Sequence, residues 1–298
     1  MSETRALTTD EFAALSLVVE QLGIQNSESI ERFIDSKFDK VYDVYLIDGK
    51  NVLKKCDSKC RDKNKYERYF AGLDFPVPKI LDSVTIGEET YIRMEYAEGR
   101  DASNCSPEEA TWIGQALARI QSHYLTAGGH TEAADFYFAE YVLCYVNKVK
   151  NYFDDFDSVF HIVQRRFFEV PHSLIHDDLL PMNVILGSHQ QWIIDWATSG
   201  ILPYFLDLAR FAFVDAEPRG FFISHESGMA FLDSYYNEMR KNPDFLIDKK
   251  QFYVDVAISA FCQYAAFLYY KEDIEHIQST TDYRYLKEIL EYLKKTAL

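Results

Sequence analysis

The sequence predicts an α+β fold in which a small antiparallel β-sheet with one main helix precedes a larger, mostly helical body. Short β-branched and aromatic segments separated by turn residues fill the first third of the chain, and long amphipathic segments dominate the rest. At 298 residues the chain exceeds the usual single-domain size of roughly 100 to 200 residues. We therefore expect two lobes, residues 1–97 and 98–298, that share a cleft.

The first lobe is expected to hold helices and strands in alternation. Apolar residues recur at helical spacing over residues 9–22, and a second helix over residues 62–72 ends at Gly72. Asp48-Gly49 is typical of a hairpin turn between two strands. Five short strands are predicted around these features, at residues 29–35, 41–48, 51–56, 76–81 and 89–99.

The second lobe is expected to be helical with one interruption. Amphipathic segments predict helices at residues 107–125, 136–153 and 157–170, and the chain reads as helical again from about Leu206 to its end. Between them, residues 173–200 read as two short apolar strands around a cluster of acids.

Composition restricts the class of protein. A net charge of −16 repels nucleic acid and anionic membranes and favours a cationic small molecule as ligand. The five cysteines are scattered and odd in number, which indicates reduced thiols rather than a disulfide framework. The N-terminus is polar, and no run of about 20 apolar residues is evident to span a bilayer. We expect a cytoplasmic protein with no nucleic-acid or membrane partner.

The side chains of Asp178, Asn183 and Asp195 are predicted to converge on one site at the ends of two strands. Pro181 favours a loop between two strands, and Asn183 follows five residues after Asp178, which is enough chain for both side chains to face one point. A hairpin turn at residues 188–190 then returns the chain, so that Asp195 reaches the same end.

These side chains have the chemistry of a phosphate-handling site. The carboxylate of Asp195 and the amide of Asn183 are hard oxygen donors of the kind that hold Mg²⁺ together with substrate phosphates. Asp178 stands apart on the loop and is able to accept a proton from an incoming hydroxyl group.

Three strings carry a resemblance to a known family. "HDDLLPMN", "IIDW" and "LPYFLDLAR" resemble the motifs of the aminoglycoside phosphotransferase and choline kinase family, which has a protein-kinase-like fold. The pattern H-x-D-x4-N is the catalytic loop of that family. The resemblance implies that His176 supports the loop, that Asp178 is the catalytic base, that Asn183 and Asp195 hold Mg²⁺, and that Asp207 is mainly structural.

The upstream half resembles the same family. Lys54 looks like the strand lysine that contacts nucleotide phosphates, and Glu67 looks like its partner on the following helix. Glu95 and Ala97 match the hinge whose backbone contacts the nucleotide base. Ser36 begins the turn "SKFDK" that would cover the phosphates, and this turn contains no glycine, which weakens the expected nucleotide affinity.

The resemblance implies a small-molecule kinase that transfers the γ-phosphate of ATP or GTP to a hydroxyl group, with Mg²⁺. The acceptor is expected to be cationic, such as an aminoglycoside-like antibiotic, a choline-like amine or a related metabolite. Asp177 either helps to bind such an acceptor or is a solvated loop acid. Aromatic and acidic residues in 211–222 and 267–276 either line the acceptor pocket or belong to helix cores.

Two alternatives stay open from sequence. One is a kinase-fold protein that binds nucleotide without transferring phosphate. The other is a metal-dependent phosphohydrolase in which His176 and Asp177 form an HD doublet, with His161 and His172 as further ligands. That arrangement requires the doublet to lie on a helix.

Overall fold

The computed structural model describes residues 3–25, 29–35, 39–57, 59–154, 156–188, 190–213, 223–270 and 280–297. The strands are β1 (Glu3–Ala6), β2 (Ile30–Asp35), β3 (Lys40–Ile47), β4 (Asn51–Lys55), β5 (Ile80–Ile86), β6 (Glu89–Glu95), β7 (Arg100–Asp101), β8 (His172–Ile175), β9 (Val184–Leu186), β10 (Gln191–Ile193) and β11 (Gly200–Pro203). The α-helices are α1 (Thr9–Gln21), α2 (Arg61–Tyr69), α3 (Pro107–His123), α4 (Glu132–Tyr137), α5 (Cys144–Val149), α6 (Phe156–Glu169), α7 (Leu208–Ala212), α8 (His225–Met239), α9 (Lys249–Tyr270) and α10 (Thr281–Ala297).

The chain divides into two units. The first comprises Met1–Ala102 with Met182–Thr198, and the second comprises Ser103–Pro181 with Ser199–Leu298. The predicted lobe boundary between residues 97 and 98 stays a prediction. The interruption near residue 180 contributes its first strand, β8, to the second unit, and its hairpin, β9 and β10, to the first.

The first unit contains a six-stranded antiparallel sheet in the order β1-β2-β3-β4-β6-β5. Alternation of apolar residues along these strands buries one face against α1, whose Leu15, Val18 and Val19 pack into a core with Ile47 and Leu53. The helix begins after Thr8, which forms a capping box. The predicted helices and the hairpin at residues 48–49 are confirmed, whereas β1 was not predicted because its sequence is polar.

A smaller three-stranded sheet in the same unit has the order β10-β9-β7. Gly99 allows β7 to approach β9, because a Cβ atom at Gly99 would lie 2.5 Å from the carbonyl oxygen of Leu186. The backbone of Gly99 also has a φ of +153°, which residues other than glycine rarely adopt. This junction fixes the β9–β10 hairpin to the first unit.

The second unit is built from helices around the buried pair of strands β8 and β11. Helix α3 packs closely on α8, since a Cβ atom at Gly114 would lie 2.3 Å from Ser234 Oγ. The predicted helix over residues 136–153 instead consists of α4, a π-helical segment over Phe138–Leu143, and α5.

Helix α9 corrects one expectation from the sequence. Its 22 residues, with a mean hydropathy of 1.3 over the most apolar window, are long and apolar enough to cross a membrane. Most of that window is buried inside the protein, against α5, α7 and α10, as in the core helix of a globular fold. By the criteria of length and composition, the expectation that no segment is able to span a bilayer was therefore wrong.

Candidate active site

The loop that follows β8 is fixed by a buried aspartate. Asp207 precedes α7, and its two carboxylate oxygens accept hydrogen bonds from the backbone N–H groups of His176, at 2.7 Å, and Asp177, at 2.8 Å. The side-chain amide of Gln121 donates a third bond at 3.1 Å. Burial raises the pKa of Asp207 to about 7, although the two backbone donors act in the opposite direction. These contacts are structural, since they hold the start of the loop in one conformation.

His176 supports the same loop from inside. Its side chain is fully buried, and its Nδ1 accepts a hydrogen bond from the backbone N–H of Asp178 at 3.3 Å. The imidazole therefore shapes the turn that carries Asp178, and this contact agrees with a supporting role.

Asp178 presents a partly exposed carboxylate. Its side chain is 37% exposed, and its Oδ1 accepts hydrogen bonds from Arg210 Nε, at 3.1 Å, and from Arg210 Nη2. Nη1 of the same guanidinium donates to Gln263 Oε1 at 2.8 Å. Sequence reasoning missed Arg210, although the string "LDLAR" places it three residues after Asp207, on the next helical turn.

Asp177 lies beside these residues in a strained conformation. Its φ is +65°, a left-handed value that residues other than glycine seldom adopt. Tyr137 donates a hydrogen bond from its hydroxyl to Asp177 Oδ1 at 2.6 Å. Burial raises the pKa of Asp177 to about 6, while the Tyr137 bond and the charge of Arg210 lower it.

Within the first unit, Lys54 is held between two carboxylates. Its Nζ lies 2.9 Å from Asp62 Oδ1 and 3.0 Å from Asp195 Oδ1. Burial lowers the pKa of Lys54, but the attraction of Asp195 and Asp62 outweighs burial and raises it overall. The pKa of Asp62 is also raised, first by burial and then by repulsion from Asp195, because one ammonium is shared by two carboxylates. Lys55 pairs with Glu89 instead, as strand alternation predicts.

The predicted pair of Lys54 with Glu67 is wrong. Glu67 is exposed and lies 3.8 Å from Lys63, whereas Asp62 is the helix α2 partner of Lys54. The reason is helical phase. Asp62 and Tyr66 are four residues apart and share the buried face of α2. Glu67 is five residues after Asp62, which places it about 140° from Asp62 around the helix axis. The buried tyrosines of this helix were the signal that identified the face.

The hairpin brings Asn183 next to the strand end that carries Asp195. Val184 pairs with Ile193, and the N–H of Ile194 donates to the carbonyl of Asn183 at 2.9 Å. The backbone N–H of Asp195 donates to the Tyr66 hydroxyl at 3.2 Å, and its φ is +66°. Asn183 and Asp195 are therefore neighbours in the hairpin backbone of the first unit, and the convergence of their side chains with that of Asp178 stays a prediction.

The donor set of this hairpin end fits Mg²⁺. It offers one amide oxygen and one carboxylate that is 45% exposed, and Mg²⁺ is usually bound by one or two carboxylates together with phosphates and water. No cluster of three or more His, Cys, Asp or Glu side chains occurs in the part of the chain that the structure describes. A closed metal cage built from such side chains is therefore absent from that part of the chain.

The remaining predicted residues have simpler positions. Ser36 lies outside the described residues, as does most of the turn that it begins. Glu95 ends β6, and its N–H already donates to the carbonyl of Lys79 at 3.0 Å. Ala97 follows two residues later. Their contact with a nucleotide base stays a prediction.

The HD phosphohydrolase alternative loses its basis. The doublet of His176 and Asp177 follows a strand rather than lying on a helix. His161 is exposed on α6, and His172 Nε2 lies 3.1 Å from the carbonyl oxygen of Phe167, so neither is arranged around the doublet.

Comparison with known proteins identifies the family. The model of the phosphotransferase enzyme family matches residues 33–239. A choline/ethanolamine kinase family protein from Mesorhizobium loti is 14% identical, with a TM-score of 0.57 over 97% of this chain and 94% of that chain. An aminoglycoside-3'-phosphotransferase of type VIII is 17% identical, with a TM-score of 0.50 over 82% of this chain and 98% of that chain. No curated protein sequence matches significantly.

The family match covers more than half of the chain, and both structural relatives share the predicted protein-kinase-like fold. The expected enzyme class, a phosphotransferase with an alcohol group as acceptor, is confirmed. The chain belongs to the phosphotransferase enzyme family and is a small-molecule phosphotransferase.

Proposed function

We propose that the protein transfers the γ-phosphate of ATP or GTP to a hydroxyl group of a cationic small molecule, with Mg²⁺, and that Asp178 is the catalytic base. The observation that carries this proposal is the construction of the loop after β8. Asp207 and His176 fix its backbone, and the Asp178 carboxylate is left partly exposed to meet a substrate. A purely structural aspartate would gain little from such support.

In the proposed reaction Asp178 accepts the proton of the acceptor hydroxyl. The hydroxyl oxygen forms a bond to the γ-phosphorus, and the bond from that phosphorus to the bridging oxygen breaks, which releases the nucleoside diphosphate. The proton stays on Asp178 until it is lost to water. Because the loop is fixed before substrate binds, little reorganisation is needed at the moment of transfer.

Lys54, Asn183 and Asp195 are proposed to bind the triphosphate. The ammonium of Lys54 acts as a point charge on phosphate oxygens, and its present partners show that the site tolerates a cation between anions. Asn183 and Asp195 would hold Mg²⁺, which neutralises charge on the phosphates when bound. The resemblance to the family supports ATP or GTP as the donor.

A cationic acceptor is supported by the surroundings of Asp177. Tyr137 contacts this carboxylate, and Tyr141 and Tyr145 continue the same helical row at four-residue intervals. The ring centroids are 5.0 Å apart for Tyr137 and Tyr141, and 6.3 Å apart for Tyr141 and Tyr145. Aromatic faces beside a carboxylate bind alkylammonium groups, with cation–π contacts worth about 0.5 to 2 kcal/mol. The relative named as a choline/ethanolamine kinase family protein supports this acceptor class.

Nucleotide binding without transfer is the alternative that the experiment must exclude. The glycine-free turn from Ser36 to Lys40 weakens backbone contacts to the phosphates in both cases and does not distinguish them. The two candidates differ in whether a phosphorylated acceptor forms.

A turnover screen tests the proposal. Purified protein with Mg²⁺ and either ATP or GTP is incubated with hydroxylated amines, aminoglycosides and sugars, and nucleoside diphosphate and phosphorylated product are both measured. The neutral isostere 3,3-dimethylbutanol is the matched control for choline. We expect transfer to a cationic alcohol and weak turnover of its neutral isostere. Nucleotide binding with no product from any acceptor would favour the non-transferring alternative, and equal use of both isosteres would refute the cationic acceptor.

A further inference from the structure

We propose that Arg210 is a positioning residue for the base, which holds the Asp178 carboxylate in its reactive orientation while Gln263 holds the guanidinium. This inference rests on the proposed function, in which Asp178 accepts the acceptor's proton. It adds a residue of α7 and a residue of α9 to the catalytic loop.

The contacts give the guanidinium two partners in fixed directions. Nε lies 3.1 Å from Asp178 Oδ1, and Nη2 contacts the same oxygen. Nη1 lies 2.8 Å from Gln263 Oε1. The guanidinium is a rigid plane, so anchoring one edge on Gln263 fixes the direction in which the other edge meets the carboxylate. The Arg210 side chain is only 22% exposed, which limits alternative rotamers.

Helix α7 therefore fixes the loop at two levels. Asp207, immediately before the helix, binds the backbone of residues 176 and 177, and Arg210, three residues later, binds the side chain of residue 178. Residues three apart lie on the same side of a helix, so both contacts follow from a single placement of α7. A free carboxylate would rotate about two side-chain bonds, and the ion pair removes that freedom.

The charge of Arg210 acts on the same residues. It contacts the carboxylate of Asp178, and its attraction lowers the pKa of both Asp177 and Asp207 against the effect of burial. If Arg210 were absent, its attraction would no longer offset the mutual repulsion of these three carboxylates. The transferred proton goes to Asp178 alone, and Arg210 takes no part in proton transfer.

Loss of this positioning should appear in kcat rather than in KM. Arg210→Ala leaves Lys54 and the hairpin end unchanged, so KM for nucleotide should stay within about twofold. KM for the acceptor is compared at pH 8, because loss of Arg210 removes an attraction that lowers the pKa of Asp177 and the carboxylate must be charged in both proteins. Misplacement of a reacting group by about 1 Å costs up to roughly 10² in rate, so kcat should fall by about tenfold to a hundredfold. Gln263→Leu keeps the ion pair but loses the anchor, and its kcat should fall by a smaller factor.

The experiment compares Arg210→Ala, Arg210→Lys, Gln263→Leu and the double variant, with Arg165→Ala as control. Arg165 is an exposed arginine of α6 that pairs with Glu169 rather than with Asp178. Its replacement by alanine changes the net charge by the same amount as Arg210→Ala. We expect the control to have wild-type kcat and Arg210→Lys to have a kcat between those of Arg210→Ala and wild type. Added guanidinium ion should restore part of the rate of Arg210→Ala. The double variant should be no worse than Arg210→Ala, because Gln263 acts through Arg210.

Wild-type or higher kcat in Arg210→Ala would overturn the inference, and so would a multiplicative loss in the double variant or a loss confined to KM. If Arg210→Ala does not fold, Gln263→Leu decides the outcome, because its kcat must still fall. Failure of this inference is distinct from failure of the proposed function. If only this inference fails, Asp178→Asn lowers transfer by roughly 10² to 10⁴ while the Arg210 and Gln263 variants keep the wild-type rate. If the proposed function fails, Asp178→Asn itself transfers at the wild-type rate.

Discussion

Asp62→Asn should weaken the first unit much more than Glu67→Gln. The amide is nearly isosteric with the carboxylate but removes the charge that lies 2.9 Å from Lys54 Nζ. At an effective dielectric constant of about 20, that separation corresponds to a gross attraction of about 6 kcal/mol. Most of it is offset by the desolvation of Asp62, whose side chain is only 7% exposed, and Lys54 keeps Asp195 at 3.0 Å. We expect the free energy of unfolding to fall by about 1 to 3 kcal/mol.

Glu67→Gln is the matched control on the same helix. Its carboxylate is 55% exposed and 3.8 Å from Lys63, and such surface pairs contribute about 0.5 kcal/mol or less. Urea unfolding at pH 7, followed by tryptophan fluorescence, measures both variants. Trp196 is a suitable reporter because it packs on Phe70, at the end of α2, with the ring centroids 4.8 Å apart. An equal or larger loss in Glu67→Gln would refute the assignment of Asp62 as the Lys54 partner.

Three further predictions concern metal binding, pH and packing. Asp195→Ala should abolish the Mg²⁺-dependent part of nucleotide binding in calorimetry, and unchanged affinity with Mg²⁺ would contradict it. Because the pKa of Asp177 is raised to about 6, its carboxylate is charged above pH 6 and becomes neutral below it. KM for a cationic acceptor should therefore rise as pH falls through 6. Asp177→Asn should have a higher KM that does not change over that range. Gly114→Ala should lower the free energy of unfolding by about 1 to 3 kcal/mol, since its Cβ would lie 2.3 Å from Ser234 Oγ, whereas Gly200→Ala, whose nearest such contact is 3.9 Å, should be nearly neutral.

Local patterns were sufficient to predict most of the fold. Alternating apolar residues and the Asp48-Gly49 turn predicted β3 and β4, and amphipathic spacing predicted α3 and α6. Strand β1 was missed because its stability comes from pairing with β2, which no local pattern of Glu3–Ala6 indicates. The π-helical segment at Phe138–Leu143 was missed for a similar reason, since its residues also suit an α-helix.

Prediction of the site depended on how far apart its members lie in sequence. Asn183 and Asp195 are joined by one hairpin, so strand phase alone brought them together. The partner of Lys54 required the rotation of α2 against the sheet, and the motif spacing suggested Glu67 where packing selects Asp62. Arg210 contacts Asp178 across 32 residues of chain, and this pairing depends on how α7 packs in the second unit.

The central claim is that Asp178 accepts the acceptor's proton, and a rapid-quench measurement of phosphate transfer in Asp178→Asn tests it most directly. The variant keeps the size of the side chain and the backbone bonds of the loop, so nucleotide affinity measured in parallel should stay within about twofold of wild type. Transfer should fall by roughly 10² to 10⁴, the usual span for removal of a general base. Transfer at the wild-type rate, with nucleotide bound normally, would contradict the account.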